Sequence, residues 1–477
     1  MRLQTICRLT PLIPLLMLSM FLQVCAANEL PATVSSALRH AGIPIKAVGI
    51  VVQEVDSHKA LIAVNQTTAF SPASTMKLLT TDAALELLGP TFTWKTQAYM
   101  TGSVTGEVLN GDLIFKGSGD PKLVTENFWL FLRQIRASGI REIHGNVLLD
   151  RSAFEPLQND AESFDGDPIK PYNALPDALL LNYQMLRIQF MPVTAGGMSS
   201  ITVDPPLADV EIVAPVWTND DCGDWQSKLG VNLGVGQLRF TGRYSAACGD
   251  KTWYVRPYQL TPDQYFSAAF KKMWADVGGK FSGEVADGLV PPDARLLTVW
   301  ESPALSEVIR DINKFSNNVM ARQLLLTLAN AGGAATQPAD EVRGAQAIKA
   351  WLDYKGIAAP ELQIENGSGL SRNERIAPAS MADLLLKAYQ SPMMPELISS
   401  MPLAGFDGTM RHRLSDQDVA GNAHIKTGTL NDVKAIAGYV TAQSGKRYVV
   451  VFFINHANAA SGGVAQDALL EWIYANG

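Results

Sequence analysis

The chain has 477 residues, 47% of them hydrophobic and 18% charged, with 26 Pro and 38 Gly spread without a repeat. That composition excludes extended disorder and leaves room for several domains with a large core. Lys and Arg total 39 against 46 Asp and Glu, a net charge of −7, so no general basic surface exists to neutralise phosphates and nucleic acid is excluded as the main partner.

The first 27 residues stand apart. Arg2 and Arg8 precede an apolar run from Leu9 to Val24 that ends in Cys25-Ala26-Ala27. This is the pattern of a secretory signal peptide cut after Ala26 or Ala27, whereas Pro11, Pro14 and the short run argue against a membrane-spanning anchor. From Ala47 to Val64 the text reads as two short strands turning at Asp56-Ser57. Phe70-Ser71-Pro72-Ala73 then leads into a helix, STMKLLTTDAALELL, stopped by Gly89-Pro90.

From 91 to 290 the alternation is that of strands: WKTQAYMTG, GDLIFKG, EIHGNVLLD, RIQFMPV, SITVDP, ADVEIVAP, LRFTGRY and KTWYVRP. One helix is expected to interrupt them, TPDQYFSAAFKKMWADVG. After 300 helical periodicity returns in LSEVIRDINKFSNNVMARQLLLTLANA, GAQAIKAWLDYKG and SMADLLLKAYQ. IKTGTL, AIAGYVTA and RYVVVFFIN then alternate as antiparallel strands before a last helix, AQDALLEWIYAN. The two ends therefore read as one α+β domain interrupted by a β-rich insertion.

Cys7 and Cys25 fall in the leader, leaving Cys222 and Cys248, which on an exported chain are most simply one disulfide. No metal site is expected, because neither lies in a Cys-x-x-Cys and the six His lack zinc spacing.

Three short motifs carry chemistry. Residues three apart share a helix face, so Ser74 would point its hydroxyl at the Lys77 amine, which can take its proton and make it a nucleophile. The helix start adds free N–H groups for an oxyanion. Ser316-Asn317-Asn318 lies in a helical stretch whose propensity it lowers, so Ser316 is a candidate proton relay and Asn318 a candidate amide holder. Lys426-Thr427-Gly428-Thr429 opens a strand, where an ammonium, two hydroxyls and a close-approaching glycine suit a carboxylate. Each motif alone is weak; their order and contexts together are those of active-site serine acyl transferases.

PASTMK, KFSNN and HIKTGT resemble the active-site motifs of the penicillin-binding proteins. The long stretch between Lys77 and Ser316 resembles the class C low-molecular-mass group, the D-alanyl-D-alanine carboxypeptidase/endopeptidases. Gly119-Asp120-Pro121, GNVLLD, ENGSGLSR and MPLAGFDGTMRHR reinforce the likeness, although Asn366 stands where that family usually has Asp. The resemblance implies a catalytic domain of an antiparallel sheet packed with helices, residues 28–90 and 291–477. It further implies one inserted domain at 91–165 and 255–290 and a second at 166–254.

It also implies a periplasmic hydrolase without cofactors, acting on peptidoglycan stem peptides, inhibited by β-lactams, and free to associate peripherally with membrane or cell wall. In that scheme Ser74 attacks the carbonyl between two D-alanines and Lys77 is the base. The backbone N–H groups of Ser74 and Thr429 hold the oxyanion, while Lys426, Thr427 and Thr429 bind the terminal carboxylate. Two alternatives are a β-lactamase or esterase on the same fold, and a secreted non-catalytic binder of cell-wall peptides. No Gly-x-Ser-x-Gly elbow favours an unrelated esterase, no compact acidic loop follows the first motif, and a pure binder needs no desolvated Lys beside a Ser.

Overall fold

The residues VGIVVQE, four of them β-branched, make the strand Val48–Glu54, whose first five positions are buried. A strand buried on both faces belongs inside a sheet. It pairs antiparallel with Ile62–Val64 on one side and with Arg447–Asn455, from the far end of the chain, on the other. The sheet order is Ala423–Leu430, Val433–Thr441, Arg447–Asn455, Val48–Glu54, Ile62–Val64. Residues 30–156, 164–192, 199–234, 236–331 and 337–477 are described by this computed structural model, so the expected leader lies outside the described residues.

Period-two alternation divides the sheet between two cores. Val449, Val451 and Phe453 join the helices Met76–Leu88, Leu305–Lys314, Asn318–Leu328 and Pro378–Tyr389 on one face. Val450, Phe452 and Ile454 join Ala32–His40 and Gly463–Asn476 on the other. The architecture is thus α+β with the sheet as middle layer.

The inserted region contains further sheets. One runs in the order Val285–Asp287, Val147–Asp150, Leu113–Lys116, Lys95–Met100, Arg295–Glu301. Leu186–Met191 is flanked by Ser200–Asp204 and Lys251–Val255, and Gln237–Ser245 carries Glu211–Val213, Val216–Thr218 and Leu229–Gly234. Both groups share one apolar core, in which Phe115 meets Phe128, Phe131, Phe266 and Phe270 with ring centroids 5.7 to 5.9 Å apart.

Two expectations need correcting here. A second helix, Thr125–Ala137, accompanies the expected one, which spans Pro262–Asp276. Its buried Phe128, Phe131, Leu132 and Ile135 follow the i, i+3, i+4, i+7 spacing of an amphipathic helix. The strand Arg295–Glu301 pairs with Lys95–Met100, so the inserted sheet continues past 290. On this pairing we propose that the insertion is entered at Lys95 and left at Glu301.

Sulfur atoms of Cys222 and Cys248 are bonded, with Cα atoms 4.8 Å apart. The chain-entropy model gives such a loop roughly 3 kcal/mol of stabilisation. Thiol titration of the denatured, unreduced protein starting at residue 28 is expected to find none free; two reactive thiols per chain would rule the bond out.

Candidate active site

Ser74 sits in a single 3-10 turn, Ala73–Thr75, immediately ahead of the helix Met76–Leu88. Ala73 is left-handed (φ 44°), an uncommon conformation for a residue with a side chain that tips the chain sharply into the helix. From the first helical turn Lys77 reaches back: its Nζ lies 2.9 Å from Ser74 Oγ, 2.5 Å from Asn318 Oδ1 and 2.5 Å from the Ser368 carbonyl oxygen.

Lys77 is fully buried. Burial, and after it the nearby Lys426 charge, holds its amine well below the usual lysine range, with buried Glu374 pulling the other way. The partner set decides where the proton goes. Asn318 Oδ1 and the Ser368 carbonyl can only accept, so a neutral amine gives them its two N–H groups. Its lone pair is then left facing Ser74, the one partner with a proton to give.

The second motif departs from the expected continuous helix. Ser316 is left-handed (φ 57°), ending Leu305–Lys314, and Asn317 caps the next helix by accepting the Met320 N–H at 3.0 Å. Three short polar side chains in a row favour a break over a helix interior, because they bond local backbone. The break turns Ser316 toward the third motif and starts a new helix at Asn318.

Strand Ala423–Leu430 is the sheet edge that carries Lys426, Thr427, Gly428 and Thr429. Lys426 is buried and donates to Ser316 Oγ at 2.8 Å and to the Thr427 carbonyl at 2.7 Å; burial brings its pKa down to about 7. A Cβ at Gly428 would stand 2.8 Å from the Ser74 nitrogen and 2.9 Å from the Pro72 oxygen, so only glycine lets this strand run against Ser74. Thr427 is half-buried and Thr429 exposed. The eight residues expected from the sequence thus fall into one linked cluster.

The sequence marks ENGSGLSR only as a likeness to the family; its role in completing the cluster, and the part of Glu374, go unread there. Glu374 is buried, and its carboxylate accepts the backbone N–H groups of Glu365, Asn366, Gly367 and Gly369 at 2.8 to 3.1 Å. Burial raises its pKa against the pull of those four donors. This wraps residues 365–369 around one side chain and turns the Ser368 carbonyl onto Lys77. Asn366, where the resembled family has Asp, accepts from Ser368 N and Oγ and donates from Nδ2 to the Leu370 carbonyl, a bond an aspartate could not make. The signal in the sequence was the ENGSGLSR motif with its glycine pair, and Gly369 is required: a Cβ there would lie 1.9 Å from the Ala73 oxygen.

Comparison with known proteins bears on this cluster. D-alanyl-D-alanine carboxypeptidase DacB of Haemophilus influenzae is 26% identical over 419 residues, covering 86% of this chain and 85% of that protein. A D-alanyl-D-alanine carboxypeptidase of an Actinomadura species is also 26% identical, over 481 residues, 96% of this chain and 88% of that one. The crystal structure of penicillin binding protein 4 (dacB) from Haemophilus influenzae shares the fold, with a TM-score of 0.76 at 24% identity over 93% of this chain and 100% of that one. The sequence profile of the D-Ala-D-Ala carboxypeptidase 3 (S13) family matches residues 30–475, and the chain belongs to that family.

Proposed function

We propose that the protein is an exported serine-type D-Ala-D-Ala carboxypeptidase with endopeptidase capacity, acting on peptidoglycan stem peptides through an acyl-enzyme on Ser74. The observation that carries this reading is the Lys77 amine, buried, lowered in basicity and left with Ser74 as its only proton-bearing partner. Ser74 Oγ attacks the carbonyl of the penultimate D-alanine while its proton passes to Lys77. Backbone N–H groups of Ser74 and Thr429 take the oxyanion, and Lys426 with the two threonine hydroxyls takes the terminal carboxylate. Collapse breaks the C–N bond, and the leaving amine receives its proton through Ser316. Asn318 has its carbonyl on Lys77, which leaves its Nδ2 for the peptide. Water then frees the acyl group.

Export rests on the leader of residues 1–27; among the described residues no helix is long and apolar enough to cross a membrane. β-Lactams enter as substrate mimics that acylate Ser74. Support comes from the Haemophilus protein of the same fold, whose structure is also known complexed with a novel β-lactam.

The β-lactamase alternative requires a group that activates the deacylating water. Glu374 cannot supply it, since both carboxylate oxygens are engaged by backbone N–H groups away from solvent. A penicillin adduct is therefore expected to persist for minutes while D-Ala-D-Ala peptides turn over, read by intact mass and stopped flow on one preparation. Faster turnover of penicillin than of peptide would give the β-lactamase reading the advantage.

A further inference from the structure

Beside the third motif runs a segment the mechanism does not use. Residues 402–404 lie along the outer edge of Ala423–Leu430: Ile425 N–H donates to the Pro402 carbonyl, Ala404 N–H to the Ala423 carbonyl, and Leu403 faces His424 as an antiparallel bridge. The chain then turns back from Gly405 to Met410. Two contacts fix that turn. Asp407 accepts the Leu403 N–H at 2.8 Å through Oδ1 and the Lys314 ammonium at 2.6 Å through Oδ2, and Lys314 is buried. Gly408, left-handed at φ 54°, packs so close to the Lys314 carbonyl that a Cβ would lie 2.5 Å from its oxygen.

Lys314 ends the helix two residues before Ser316, so the same side chain anchors this turn to the second motif. The outcome is a contact with the third motif: Thr409 Oγ1 lies 2.7 Å from Thr427 Oγ1.

Two hydroxyls hold two protons, and one of them is spent in their mutual bond. The other is left to donate outward: with Thr409 as the donor of the shared bond, one lone pair of the Thr427 oxygen is occupied and the Thr427 proton is directed away from Thr409. A hydroxyl donating to a carboxylate forms a charge-assisted bond, and one that itself accepts a hydrogen bond donates more strongly.

We propose that Thr409 is a positioning residue for recognition of the substrate's terminal carboxylate, orienting the Thr427 hydroxyl, and that the Lys314–Asp407 pair sets its place. This rests on the peptidase reading above. It extends carboxylate recognition beyond the Lys-Thr-Gly-Thr strand to a loop fastened to the second motif.

The test uses the protein from residue 28 and two peptides ending in D-Ala-D-Ala, one with a free carboxylate and one with a C-terminal amide. Wild type is expected to prefer the acid. Thr409→Val keeps the shape and removes the hydroxyl; kcat/KM for the acid should fall about tenfold, mostly through KM, in line with one charged hydrogen bond. The amide should be cut at the wild-type rate, and Thr409→Ser should restore the acid to within about twofold. Asp407→Asn, which keeps an acceptor for Leu403 and weakens the hold on Lys314, should give a smaller loss of the same acid-selective kind.

Equal losses on acid and amide would make Thr409 merely structural and overturn the assignment, as would an unaltered Thr409→Val or a wild type blind to the carboxylate. A wild type that cuts neither peptide would instead bring down the peptidase reading itself.

Discussion

Replacing Ser74 with alanine is expected to abolish covalent labelling by fluorescent penicillin and to lower peptide hydrolysis by about ten-thousand-fold or more, the usual scale for losing a catalytic nucleophile. Removal of Oγ leaves nothing for an acyl group to bond, and the other partners of Lys77, Asn318 Oδ1 and the Ser368 carbonyl, carry no nucleophile. The fold should survive, because Ser74 contributes one partly exposed hydroxyl and both neighbours keep their hydrogen bonds elsewhere: the Thr75 hydroxyl donates to the Pro72 carbonyl, and Lys77 retains two acceptors. Gel fluorescence after penicillin treatment, beside a thermal melt of the same variant, settles the matter. A folded Ser74→Ala protein that still labels would transfer the nucleophile to another residue.

Lys77 carries the second large effect. Lys77→Arg places a permanent cation there that cannot give up its proton at any working pH, and Lys77→Met fills similar space with no base at all. Both are expected to lose about a thousandfold in acylation, the middle of the usual range for general-base catalysis. An arginine variant retaining most of the activity would mean that only a positive charge is needed there, and the neutral-amine mechanism would fall.

The wild-type pH profile gives the same test from the other direction. Burial and the Lys426 charge lower the Lys77 pKa, so the active neutral form appears as pH rises. In the proposed mechanism Lys426 stays protonated to meet the carboxylate, and burial brings its pKa down to about 7. Consequently kcat/KM, which follows the free enzyme, should climb from acid pH and decline above about 7. The decline in kcat should come at higher pH, because a bound carboxylate retains the Lys426 proton. A kcat/KM that keeps rising through the alkaline range would exclude Lys426 as the titrating cation.

What the sequence disclosed was whatever is local. Ser74 and Lys77 are one helical turn apart, and Lys426 to Thr429 are consecutive on one strand, so spacing alone placed each set. RYVVVFFIN was legible as a strand from its β-branched and aromatic residues, whereas its burial on both faces, which breaks the alternation expected of it, belongs to the structure. The Ser316 break went unread because helical periodicity holds on both sides of it, and only the left-handed φ reveals that two helices meet there. Thr125–Ala137 was different: its pattern was present, and the strand-rich surroundings obscured it.

Ser368 lay beyond sequence reasoning for a deeper reason. It contributes a backbone carbonyl, which every residue has, and only the four N–H groups gathered by Glu374 aim it at a lysine 291 positions away.

The pairing of Val48–Glu54 with Arg447–Asn455 sets a timetable. A chain crossing a membrane from its N-terminus delivers Ser74 and Lys77 first and Lys426 among the last, with the entire insertion passing between them. Until the final strands arrive the first strand has no neighbour on that side, the lysine pocket lacks its walls, and the amine remains an ordinary wet ammonium beside an ordinary serine. Under the export proposed above, the chain would be inert throughout that passage and would complete the pocket around Ser74 and Lys77 only when its two ends close the sheet.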